Sequence, residues 1–117
     1  MKAAIVILAD TETHGDMGRV ANALEFAKEL KQANDDVELI FDGAGVKWAA
    51  ELSKDTHQMK PLFDTVRDRA AGVCQYCSRA FGVFEAVKRS GLPLLAEFDQ
   101  HPSLRTRAAQ GYQVVTF

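Results

Sequence analysis

The sequence predicts an α/β fold, a three-layer αβα sandwich around a mainly parallel five-stranded sheet in flavodoxin-like order. Three observations lead there. Apolar runs of strand length alternate with segments of helical periodicity along all 117 residues, without a linker or low-complexity tract. The first run, Ala3 to Ala9, is continuously apolar, as expected of a strand covered on both faces. The segments between runs are long enough for right-handed crossovers, which join parallel strands with helices against the sheet.

Taken in order, Ala3 to Ala9 is the first, central strand. From Asp16 to Asn34, Val20, Leu24, Ala27 and Leu30 recur at helical spacing, with Asp16 placed as cap and Lys28 and Lys31 towards the end. Val37 to Phe41 reads as the second strand, and the glycines of "DGAGVKWAAEL" mark a turn before a short helix. A helix starts at Pro61 with Leu62, Val66 and Ala70 on one face, and Gly72 ends it. "VCQY" is the third strand, followed by a helix from Ser78 to Arg89. Gly91 and Pro93 stop that helix, Leu94 to Phe98 forms the fourth strand, Ser103 caps a brief helix ending before Gly111, and "YQVVTF" is the last strand.

Composition narrows the function classes. A net charge of −2 with no basic cluster argues against nucleic-acid binding, and 47% hydrophobic content is that of an ordinary globular domain spanning residues 1–117. The N-terminal apolar run is too short to span a bilayer, and acidic "DTETHGD" stands where a signal peptide needs a small-residue cleavage site. A cytoplasmic location is expected, with no membrane partner. Two cysteines there are reduced thiols, so the spacing Cys74-Gln75-Tyr76-Cys77 points to reactivity or metal before structure.

A strand order 2-1-3-4-5 places the ligand edge between the first and third strands and gathers four loops: 10–16, 42–46, 74–79 and 99–101. Thr13 and His14, Asp42, Cys74 and Cys77, and Asp99 and His101 are the pocket candidates. A cysteine between strand and helix feels the helix's unpaired amides, which favour the thiolate that attacks sulfur or binds metal; Arg79 adds a nearby cation. Two quietly packed thiols are the competing reading. His14, His57 and His101 are scattered singly, so no zinc site is expected. No Walker or GxGxxG motif appears, one tryptophan and two tyrosines are little for a flavin to stack on, and "YQVVTF" lacks a receiver's lysine, so no cofactor is expected. Trp48 reads as core or subunit contact. His101 stands at the same edge as a candidate acid, base or anion donor.

"CQYCSRAFG", Cys74 to Gly82, is a strand ending in cysteine followed by a helical turn carrying Arg-Ala and a glycine eight residues beyond that cysteine. With "VELIFDGAGVKW" and the terminal "GYQVVTF", it resembles the DsrE/DsrF-like family of sulfur-handling proteins over nearly the whole chain. The resemblance implies a homo-oligomer, whether dimer, trimer or hexamer, and a sulfur carrier served by donor and acceptor proteins. By position Cys74 would hold the persulfide; Cys77 departs from the family's pattern and, from its place beside Cys74, would shield or release it, with Ser78, Arg79 and His101 in support. Such a protein is a carrier more than a turnover enzyme. The alternatives are a non-catalytic oligomeric ligand-binding or scaffold module with structural cysteines, and a thiol-disulfide redox sensor.

Overall fold

The computed structural model describes residues 1–117. Five parallel strands form one sheet: β1 (Lys2–Ile7), β2 (Asp36–Phe41), β3 (Ala70–Cys74), β4 (Leu94–Leu95) and β5 (Gln113–Thr116). Six helices connect them: α1 (His14–Gln32), α2 (Val46–Leu52), α3 (Lys60–Val66), α4 (Gln75–Ala80), α5 (Phe84–Ser90) and α6 (Leu104–Ala109). The α/β class, the parallel sheet and the helices on both of its faces agree with the sequence reading.

The strand order differs. It is β4-β3-β2-β1-β5, not 2-1-3-4-5. The second edge of β1 is taken by β5, with Ala3 beside Gln113 and Val6 beside Thr116, so β3 pairs with the free edge of β2 instead. Strands β1 to β4 therefore advance in one direction, and right-handed crossovers then put their helices on a common face. Ala3, Ile5, Ile7, Val37, Leu39, Phe41 and Val73 pack there with Val20, Leu24 and Ala27 of α1 and Trp48 and Leu52 of α2. The opposite face, carrying the buried Ala4, Val6 and Ile40, receives α6. There Arg107 reaches back to Glu38 of β2 and to Glu97, at 2.6 and 2.7 Å.

Local chemistry moves several boundaries. The α1 cap is Thr13, not Asp16: the Thr13 hydroxyl accepts from the Asp16 amide while the Asp16 carboxylate accepts from the Thr13 amide, a capping box. Helix α3 ends at Val66, and Ala70, expected on its face, opens β3. Gly72 lies inside β3 rather than ending a helix. Ala71 is an extra residue there, since Leu39 opposes Ala70 but Ile40 opposes Gly72. Gly72 has φ +151°, and a Cβ would sit 2.5 Å from the Pro93 carbonyl oxygen. Gln75 and Tyr76, read as strand, already belong to α4. Gly82, at φ +70°, divides the expected long helix into α4 and α5. The fourth strand shrinks to Leu94 and Leu95 because the chain leaves the sheet for a tight turn over β3.

Candidate functional site: a thiol pair at the carboxyl ends of three neighbouring strands

Parallel strands deliver all their carboxyl ends to one edge, and β2, β3 and β4 are adjacent there. Asp42 follows β2, Cys74 ends β3, Cys77 lies in the first turn of α4, and His101 follows β4. One donor atom from each of these four side chains lies within 4.8 Å of the others. Cys74 Sγ is 3.2 Å from His101 Nδ1, and the Cys77 thiol donates to Asp42 Oδ1 at 3.5 Å.

The backbone fixes this arrangement. Cys74 is the N-cap of α4, and its sulfur accepts from the Cys77 amide at 3.4 Å. Ser78 is fully buried, and its hydroxyl donates to the Cys74 carbonyl at 2.7 Å, tying the helix to the strand it leaves. Asp42 is held by the Gly43 amide, which donates to its Oδ1 at 2.8 Å. His101 closes a two-residue hairpin turn in which Phe98 and His101 exchange both backbone hydrogen bonds. Asp99 and Gln100 both have positive φ, 48° and 67°, as a type I′ turn requires. Gly or Asn usually occupies such positions, so the turn carries strain that its surroundings must hold. They do: the Tyr76 amide donates to the Gln100 carbonyl, Arg79 donates to the Gln100 side chain, and the Tyr76 and His101 rings pack 4.8 Å apart.

Cys74 is wholly buried beneath this turn, whereas Cys77 is half-buried. Burial raises the pKa of the Cys74 thiol far above its ordinary value; the Cys77 amide pulls the other way, and the Asp42 carboxylate adds to the rise. Burial likewise raises that of Cys77. The expected lowering by the helix start is thus reversed: α4 offers the sulfur one amide, while desolvation and a neighbouring carboxylate both disfavour a second negative charge. At rest both thiols keep their protons. The Cys74 sulfur has an imidazole nitrogen, His101 Nδ1, at 3.2 Å.

Residues 3–117 match the DsrE/DsrF-like family model. The chain belongs to the DsrE/DsrF-like family. This family is generally one of sulfur-relay proteins. An uncharacterized protein of Methanocaldococcus jannaschii, MJ0733, is 33% identical over 116 residues, covering 98% of this chain and 94% of its own. Two solved structures share the fold at 19% identity. The conserved protein of unknown function BT1422 from Bacteroides thetaiotaomicron has a TM-score of 0.65 over 97% of this chain and 94% of its own. The YchN protein of E. coli has a TM-score of 0.57 over the full length of both chains.

Within this DsrE/DsrF-like fold the strand order sorts the pocket candidates. Asp42, Cys74, Cys77 and His101 converge because β2, β3 and β4 are neighbours. Thr13 and His14 follow β1, one strand further off, and serve as cap and first residue of α1. Asp99 shapes the turn rather than joining the cluster. Arg79 acts through Gln100, with its guanidinium 4.4 Å from the Phe84 ring centre. Trp48 is core, its indole donating to the Asp10 carbonyl at 2.8 Å. The sequence reading did not single out Tyr76 and Gln100, which seat the turn over Cys74. The positive φ of an Asp-Gln pair has no sequence signature. No helix is long and apolar enough to cross a membrane.

Proposed function

We propose that this protein is a cysteine-dependent carrier of sulfane sulfur, with Cys74 as the acceptor. The observation that carries the reading is the Cys74 Sγ to His101 Nδ1 approach of 3.2 Å within a DsrE/DsrF-like chain. As the Cys74 sulfur attacks the outer sulfur of a donor persulfide, His101 takes the thiol proton. The donor's S–S bond breaks, its electron pair leaves on the donor sulfur, and the proton passes to that leaving thiolate. The products are a Cys74 persulfide and a donor thiol, with no net change of charge.

Release follows either of two balanced routes. A partner's thiolate attacks the outer sulfur and carries it away, restoring the Cys74 thiol. Otherwise the Cys77 sulfur attacks the inner sulfur and expels hydrosulfide, so that the two cysteines are oxidised to a disulfide and the sulfane sulfur is reduced. The half-buried Cys77 and the turn above Cys74 keep a bound persulfide from bulk thiols, as a carrier requires. Donor and acceptor proteins are its partners, and a homo-oligomer is its expected assembly.

The test is intact-protein mass after incubating reduced protein with a sulfane-sulfur donor. Wild type gains one sulfur; Cys74→Ser gains none, while Cys77→Ser still gains it and loses it more slowly. An adduct that survives Cys74→Ser, or none on wild type, overturns the assignment.

A further inference from the structure

The two thiols and the side chains that converge on them also form a complete donor set for a metal ion, although they come from three separate segments of the chain. We infer that Asp42, Cys74, Cys77 and His101 form a four-coordinate site for a thiophilic divalent ion of the zinc class. Tetrahedral zinc, with bonds of about 2.0 to 2.3 Å, holds its donor atoms about 3.3 to 3.8 Å apart. Here Cys74 Sγ and His101 Nδ1 are 3.2 Å apart, Cys77 Sγ and Asp42 Oδ1 are 3.5 Å apart, and all four atoms lie within 4.8 Å. Small side-chain rotations bring the set around one ion.

The donor chemistry selects the ion. Two sulfurs and one imidazole favour zinc over magnesium or calcium, which need oxygen ligands and more of them. Outer contacts are in place as well: the Cys77 amide donates to the Cys74 sulfur, and the Gly43 amide to Asp42 Oδ1. Cys74 is buried while the other three are half-buried, so the donor atoms are partly shielded yet within reach of an ion from solvent. On binding, each thiol releases its proton to solvent as its sulfur takes the ion. The site stands whether or not Cys74 carries sulfur; where both occur, ion and sulfane sulfur compete for the same atom.

Cobalt(II) titration of the reduced, metal-free protein tests this directly. Wild type is expected to bind one cobalt per chain with a thiolate-to-cobalt charge-transfer band and tetrahedral ligand-field bands, both abolished by added zinc. Asp42→Asn and His101→Ala, shown folded by circular dichroism, should each weaken cobalt binding by at least about tenfold. Cys77→Ser should remove much of the charge-transfer intensity. Absence of the bands in wild type overturns the site, as does unchanged binding in both Asp42→Asn and His101→Ala, which would reduce it to a plain dithiol chelate. Sulfur uptake by the same metal-free protein is read by mass, so failure of either reading is seen separately.

Discussion

The Cys74 sulfur lies 3.2 Å from His101 Nδ1, beneath a hairpin turn that also sets the Gln100 carbonyl 3.9 Å from it. A buried thiol and a ring nitrogen thus meet across 27 residues of sequence. Because burial keeps the thiol protonated, attack on sulfur needs a base at the moment of reaction. His101→Ala should slow sulfur acceptance by about 100-fold, the lower end of what a positioned base contributes. Single-turnover mass spectrometry of the Cys77→Ser background, with and without His101→Ala, measures it.

Exposure orders the thiols. Cys77 is half-buried and Cys74 fully buried, so a bulky alkylating reagent should modify Cys77 first and Cys74 only as the turn opens. Peptide mapping after brief and prolonged alkylation shows the order directly, and equal rates would show that the turn does not cover Cys74.

The turn itself is strained by its residues. Replacing Asp99 and Gln100 by Asn and Gly supplies the pair that a type I′ turn prefers and should stabilise the protein by about 1 kcal/mol. The same double variant should slow Cys74 alkylation, because a better-seated turn opens less often. Thermal melts and alkylation rates read the two effects together.

Gly72→Ala should damage both fold and site. Its Cβ would stand 2.5 Å from the Pro93 carbonyl oxygen and 2.8 Å from Leu95 Cγ, at a φ of +151° that side chains rarely adopt. The strand would have to shift two residues before Cys74. A loss of about 2 kcal/mol or more is expected in denaturant unfolding, within the range for forced backbone strain.

Arg107 joins the loop before the turn to the sheet through Glu97 and Glu38. Burial alone would raise the Glu97 pKa, but the Arg107 guanidinium and the Ser103 amide outweigh it and hold the value below the ordinary carboxylate range. A depressed acid stabilises the fold above its unfolded pKa, and that contribution fades as pH falls through the folded value. Glu97→Gln should therefore cost stability at pH 7, by less than about 1 kcal/mol because Glu97 is 41% exposed. The difference from wild type should vanish in acid, which paired unfolding curves across pH would show.

Much of the fold was legible because its signals are local. The apolar run of β1, the 3.6-residue periodicity of α1, the Ser103 cap and the glycine after α6 each depend on a few neighbouring residues. Strand order does not. Orders 2-1-3-4-5 and 4-3-2-1-5 use the same alternation and the same handedness, and the choice rests on whether β3 or β5 takes the second edge of β1. That choice brings β4's turn beside β3 and so assembles the site. The sequence placed Asp42, Cys74, Cys77 and His101 at one sheet edge, since every βα loop of a parallel sheet ends there. Their convergence, the exclusion of Thr13 and His14, and the upward shift of the thiol pKa values all required the packing.

The most direct measurement is fragmentation mass spectrometry of the tryptic peptide Ala70 to Arg79, which holds both cysteines, after brief exposure of reduced protein to a sulfane-sulfur donor and trapping of the products. Sulfur carriage by Cys74 predicts one added sulfur on that residue, with a Cys74–Cys77 disulfide growing in as the adduct decays. An adduct confined to Cys77, or a peptide with neither modification, would contradict it.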